Sequence, residues 1–181
     1  MAIYKHEGDL PKPGMFKGSV AVDTETMGLD LNRDPLCVVQ LSAGDGDAHV
    51  VRMDRPTYDC PNLKAVMADD SVIKIFHFAR FDVAMMKKWL GVETTPIFCT
   101  KIASRLVRTY TDRHGLKEIS RELLSVDMSK AQQSSDWGAD ELTDAQLQYA
   151  ASDVLHLHRI KAGLEEMLKR EGRLELAEAC F

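Results

Sequence analysis

The stretch Ser19-Val20-Ala21-Val22-Asp23-Thr24-Glu25 decides the fold. It is apolar and β-branched as far as Val22, then abruptly acidic. β-Branched residues suit a strand. Strand side chains alternate faces, so Asp23 and Glu25 project the same way. A second pair stands far downstream in Tyr149-Ala150-Ala151-Ser152-Asp153. On a helix, positions i and i+4 share a face, so Tyr149 and Asp153 also point together. A third carboxylate, Asp82, closes the segment His77-Phe78-Ala79-Arg80-Phe81-Asp82 between them. Clustered carboxylates repel one another and are stable together when cations lie among them. The pattern implies a divalent-metal site for cutting phosphodiesters.

Each element alone has a plainer reading. A single Asp-x-Glu at a strand end is usually solvated, and a lone Tyr-x-x-x-Asp helix turn says less still. Asp82 by itself reads as the polar side of an amphipathic helix. The conjunction, in this order and on matching element types, favours a site.

The rest of the first half also reads as strands. Residues 36–42 and 48–53 form two more, joined by the turn Gly44-Asp45-Gly46. Residues 72–76 are a buried strand, and residues 97–99 are one more. Helices are expected at 62–68 and at 79–90, the second ended by Gly91. The later chain is helical by i, i+3, i+4 apolar spacing: 100–107, 116–124, and one long helix over 143–169 that starts with a capping box at Thr143. The architecture is α/β, a mixed sheet with helices mostly late in the chain. No repeat or linker divides the 181 residues, so residues 1–181 read as a single domain.

Composition narrows the function. Apolar residues make up 45% and charged residues 28%, as in ordinary globular proteins. No apolar run is long enough to span a bilayer, and the N-terminus lacks the pattern of a signal peptide. The four cysteines are scattered and form no Cys-x-x-Cys, so they read as reduced thiols of a cytoplasmic protein. The net charge is -5, which suits a small or short anionic substrate better than a long duplex. One basic concentration exists: Lys101, Arg105, Arg108, Arg113, His114, Lys117 and Arg121.

Mg²⁺ and Mn²⁺ favour oxygen ligands. Asp23, Glu25, Asp82 and Asp153 would hold two such ions ~3.5–4 Å apart, the arrangement used for phosphoryl displacement. Asp23 would bridge both, Glu25 and Asp153 would complete one site, and Asp82 would serve the other. Tyr149, with an ordinary pKa of ~10, is a poor base and would orient the attacking water.

These segments resemble the three motifs of the DEDD exonuclease superfamily, in the tyrosine-containing branch that includes ribonuclease D. Val22 to Glu25 is similar to the first motif, His77 to Asp82 to the second, and Tyr149 to Asp153 to the third. A narrower resemblance, to the nanoRNase C family, runs through Ala21–Leu29, Leu36–Ser42, Lys74–Val83, Cys99–Leu106, Thr109–Lys117, Gln132–Trp137, Tyr149–His158 and Arg170–Phe181. It implies a ribonuclease H-like fold and 3′-to-5′ exoribonuclease action on very short RNA, notably dinucleotides. It also implies a ring-like homo-octamer. The Arg-Pro-Leu usual in ribonuclease D after Asp-Trp is here Gly138-Ala139-Asp140-Glu141-Leu142, which weakens transfer-RNA trimming. The alternatives are a ribonuclease D-like or DNA-directed exonuclease on longer chains, and a dead-fold binding module. The last predicts a missing carboxylate, and none is missing.

Substrate contacts are expected from several further residues. Gly28 permits close backbone approach, and Met27 or Leu29 would wedge against a base; a core-facing turn is the competing reading. His77 would contact the scissile end or serve structurally. Arg113 and His114, before a helix start, would suit a 5′ phosphate. Lys130, Gln133 and Ser135 form a second phosphate candidate. Trp137 reads as a packing anchor, Met85 and Met86 as core, and His156 and His158 as unpaired.

Overall fold

A computed structural model describes residues Met1–Phe181. Six strands form one mixed sheet: β1 (Ile3–Glu7), β2 (Ser19–Thr26), β3 (Leu36–Ser42), β4 (Ala48–Arg52), β5 (Ile73–Phe76) and β6 (Ile97–Cys99). Their order is β1-β4-β3-β2-β5-β6. β2, β3 and β4 run antiparallel to their neighbours among themselves, while β5 and β6 add in parallel beyond β2. The helices are α1 (Pro61–Ala68), α2 (Ala79–Met85), α3 (Thr100–Val107), α4 (Leu116–Leu124), α5 (Asp144–Leu155), α6 (Leu157–Arg170) and α7 (Leu174–Glu178).

Alternation along β2 divides the molecule. Val20 and Val22 enter an apolar layer with Leu63 of α1 and Met85 of α2. Ala21 faces the other way, into a layer with Ala151 of α5 and Ile160 and Leu164 of α6. Continuing the same two-residue period, Asp23 and Glu25 fall on the α5 side and Thr24 on the α2 side. β2 therefore faces helices on both sides, and each side contributes a carboxylate.

Two expectations are corrected and one strand is added. The long helix is broken at His156, whose backbone (φ -102°, ψ -10°) separates α5 from α6. α5 packs on β2, β3 and β4, whereas α6 packs on α3 and α4, and one straight rod cannot follow both surfaces. The helix over 79–90 is α only to Met85 and then widens into a π turn, Met86–Leu90, that ends at a left-handed Gly91. β1, unforeseen, is an edge strand paired in parallel with β4. The capping box does form, with Thr143 and Gln146 bonded reciprocally. Trp137, Met85 and Met86 are buried.

Candidate active site

Asp23 lies opposite Gln40 in the β2–β3 ladder. Gln40 is buried, and its Nε2 donates to Asp23 Oδ2 at 2.7 Å, which fixes the carboxylate. The other amide atom, Gln40 Oε1, is buried without a partner. Two residues on, Glu25 shares the face. α5 crosses this face, and its second and third turns carry Tyr149 and Asp153 over the strand end. Donor oxygens of Asp23, Glu25 and Asp153 lie within 4.8 Å of one another.

Asp82 approaches from the opposite side. It lies in the first turn of α2, is 3% exposed, and accepts a 2.6 Å bond from Thr24 Oγ1. The even-numbered Thr24 thus ties the α2 carboxylate to the strand that carries the odd-numbered pair. Phe78, which starts α2, has a left-handed backbone (φ 71°, ψ 48°). That conformation is strained for a residue with a Cβ. It turns the chain sharply between β5 and α2, so that Asp82 comes back toward β2.

Burial and mutual repulsion dominate the electrostatics of this group. Burial pushes the carboxyls of Asp23, Asp82 and Asp153 upward, and Asp23 pushes Asp82 and Asp153 further. Glu25 rises by burial and by repulsion from Asp23, Asp153 and Asp82. No lysine or arginine pairs with any of the four. The donors are all hard oxygens and uncompensated, and those of Asp23, Glu25 and Asp153 converge while Asp82 stands outside that group, so the three fit a divalent cation. Tyr149 is raised by burial and by Asp153, Glu25 and Asp23, so its phenol stays protonated. Its ring packs on Trp137 with centroids 6.0 Å apart.

The carboxylates open into a cavity of about 340 Å³. Lys101, Lys117 and Lys130 line it with His77, Phe78 and Gln133. Lys101 Nζ lies 4.2 Å from the Phe78 ring centroid, and Phe78 is 47% exposed. His77 Nδ1 is 2.9 Å from Thr100 Oγ1. Burial, then the Lys101 charge, depress His77 to about 3, so it is a neutral, anchored imidazole.

A second cavity, of about 450 Å³, lies on the other side of Glu25. Met27, Gly28 and Leu29 form one wall, and Gln133, Ser135 and Trp137 another. Met27 and Leu29 are 56% and 84% exposed, which overturns the core-facing turn. The expected pair Arg113 and His114 is not brought to the carboxylates. His114 lines a separate depression with Arg105 and Asp112, and Arg113 is exposed. The helix start behind them already carries its own acid, because Glu118 Oε2 lies 2.2 Å from where a Gly115 Cβ would be. Arg108, counted among the basic residues, points inward to Glu122, Ser104 Oγ and the Arg113 carbonyl. Sequence reasoning did not single out Phe78, and it placed Lys101 and Lys117 only within the general basic concentration. Their one signal was adjacency, Phe78 to His77 and Lys101 to the end of β6.

A family profile described as 3′-5′ exonuclease matches residues 9–169. Ribonuclease D of Gluconacetobacter diazotrophicus is 36% identical over 156 residues, covering 86% of this chain and 39% of that protein. The chain thus spans about two fifths of the length of the curated relatives it matches. The solved structure of Brucella melitensis NrnC with bound Mg²⁺ is 55% identical with a TM-score of 0.95, covering 99% of this chain and 88% of that one. The structure of the same nuclease bound to pGG is 56% identical with a TM-score of 0.96 and the same coverage.

Proposed function

The chain belongs to the 3′-5′ exonuclease family, among the NrnC nucleases, and from this we propose that it hydrolyses very short RNAs, dinucleotides above all, to nucleoside 5′-monophosphates. One observation carries the reading: converging, uncompensated carboxylates open into a cavity of small-ligand size lined by three lysines. A cavity of about 340 Å³ suits a nucleotide or two better than a long strand. The NrnC structure bound to pGG supports the same substrate class.

We assign catalysis to Asp23, Glu25, Asp82, Tyr149 and Asp153, and metal binding to the four carboxylates. They would hold two divalent cations, Mg²⁺ or Mn²⁺. When bound, such ions supply Lewis acidity for the attacking water and the leaving oxygen. The chain's own groups do the rest. Gln40 holds Asp23 in one orientation, and Thr24 holds Asp82. Tyr149, protonated and fixed between Trp137 and Asp153, orients the water. Lys101, Lys117 and Lys130 neutralise substrate phosphates, and the open face of Phe78 is available to a base. Met27, Gly28, Leu29 and His77 complete the substrate contacts, whereas Arg113 and His114 stand away from them in this subunit.

We further assign residues 1–181 to one exonuclease domain working as a ring-shaped homo-octamer in the cytoplasm. No helix is long and apolar enough to cross a membrane. The likeness to ribonuclease D favours a second reading, action on longer RNA. Purified protein with Mg²⁺ and 5′-labelled RNAs of two, seven and about twenty nucleotides separates the two. Faster cleavage of the dinucleotide is expected, and equal rates on the longest RNA overturn the short-RNA reading. Activity that survives Asp23→Ala or Asp153→Ala overturns the site. Native mass spectrometry tests the ring, which a clean monomer would refute.

A further inference from the structure

Arg55 follows β4, far in sequence from every motif of the site. Its guanidinium has no carboxylate partner. Nη2 donates to the Gly138 carbonyl at 2.6 Å, and Nη1 lies 3.2 Å from Met27 Sδ. The approach on Gly138 is equally tight: a Cβ there would stand 2.9 Å from Met27 Sδ and 3.2 Å from Arg55 Nη1. These three residues join two segments: Trp137, next to Gly138, is already anchored in the core, and Arg55 adds the direct tie to Met27. Met27 lies in the turn after β2, and Gly138 lies in the long connection between α4 and α5. The two segments are the facing walls of the 450 Å³ cavity beside Glu25, with Met27 and Leu29 on one side and Gln133, Ser135 and Trp137 on the other.

We propose that Arg55, Met27 and Gly138 form a latch that holds the α4–α5 connection against the turn after β2, and that Arg55 thereby sets the width of the 450 Å³ cavity, whose walls carry the substrate contacts Met27, Gly28 and Leu29 and which thus takes a nucleoside of the substrate. The latch rests on the exoribonuclease reading of that cavity. Arg55 is a positioning residue, because its guanidinium is occupied by the two walls. A charged donor on a carbonyl is stronger than a neutral one, and glycine at 138 lets the thioether and guanidinium close over the backbone. Both walls then stand at a fixed separation before substrate arrives, so that binding need not order the connection.

The test compares Arg55→Met, Gly138→Ala and the double variant with the wild type. Initial rates on a 5′-labelled dinucleotide with Mg²⁺ give kcat and KM, and calorimetry gives the affinity for guanosine 5′-monophosphate. Loss of a charge-assisted bond is worth about a tenfold change. KM should therefore rise about tenfold in Arg55→Met and by a smaller factor in Gly138→Ala, which keeps the carbonyl, with kcat within about twofold in both, the signature of lost uniform binding. Nucleotide affinity should fall by a similar factor. The double variant should be no worse than the poorer single one, because both break the same latch. Unchanged KM and nucleotide affinity in Arg55→Met would overturn the latch, as would a fall in kcat at constant KM. If Arg55→Met does not fold, Arg55→Lys reaches only one of the two partners and must still raise KM; unchanged KM there overturns the proposal. A wild-type protein that leaves the dinucleotide intact overturns the functional reading, while nucleotide binding still reads the latch.

Discussion

Replacing Asp153 with asparagine should stabilise the metal-free protein, and do so increasingly as pH rises. Burial, then Asp23, push the Asp153 carboxyl up to about 8, against ~3.9 in an unfolded chain. Between those values the fold keeps a proton that the unfolded chain has lost. Stability therefore falls with rising pH across this window, by ~1.4 kcal/mol per pH unit for one retained proton. From pH ~5 to pH ~7 the loss is about 3 kcal/mol. Asparagine keeps the shape and removes that term. His77 runs the opposite way: depressed to about 3 by burial and Lys101, it adds stability as pH rises toward its unfolded value. It is common to both proteins and cancels in the difference. Urea denaturation in EDTA across that pH range should show the variant's advantage growing by ~2–3 kcal/mol. An advantage that stays flat, or shrinks, refutes the carboxylate-crowding account. Saturating Mg²⁺ should reverse the order, stabilising the wild type more than the variant.

Three further outcomes are expected. Tyr149→Phe keeps the packing on Trp137 but removes the hydroxyl, and should lower kcat ~100-fold with little change in KM, read by single-turnover cleavage. Gln40→Leu frees the Asp23 carboxylate, and should weaken Mg²⁺ activation ~10-fold or more in a metal titration. Gly44→Ala meets both a left-handed backbone (φ 80°) and the His158 ring 2.7 Å from the new Cβ. It should cost ~1–3 kcal/mol in urea denaturation while sparing kcat.

The clustering of the carboxylates with Tyr149 was legible because its signals are local. A two-residue strand period and a four-residue helix period each place a pair of side chains without any knowledge of the rest. The same strand period places Thr24 against α2, which accounts for its bond to Asp82. What escaped depends on pairing at a distance. β1 reads Ile-Tyr-Lys-His-Glu, with no clean alternation, and is a strand only because β4 lies beside it. The break at His156 is invisible to periodicity, since apolar spacing continues across it. It follows from α5 and α6 docking on different surfaces. The lysines of the cavity were hidden in a basic stretch, from which Arg108 turned inward while Lys101 and Lys117 turned toward the carboxylates.

The division of β2 between two helical faces has a consequence for the chain while it is being made. Strand, α2 and α5 leave the ribosome in that order, and only α5 brings Tyr149 and Asp153. A nascent chain that has produced everything through α4 still has a bare sheet face where α5 belongs. Of the three carboxylates that converge, it holds two. A message broken before the α5 codons therefore yields a polypeptide without Tyr149 and Asp153 and with exposed apolar surface for quality control to recognise. The carboxylate centre is in this way incomplete until α5 has been made.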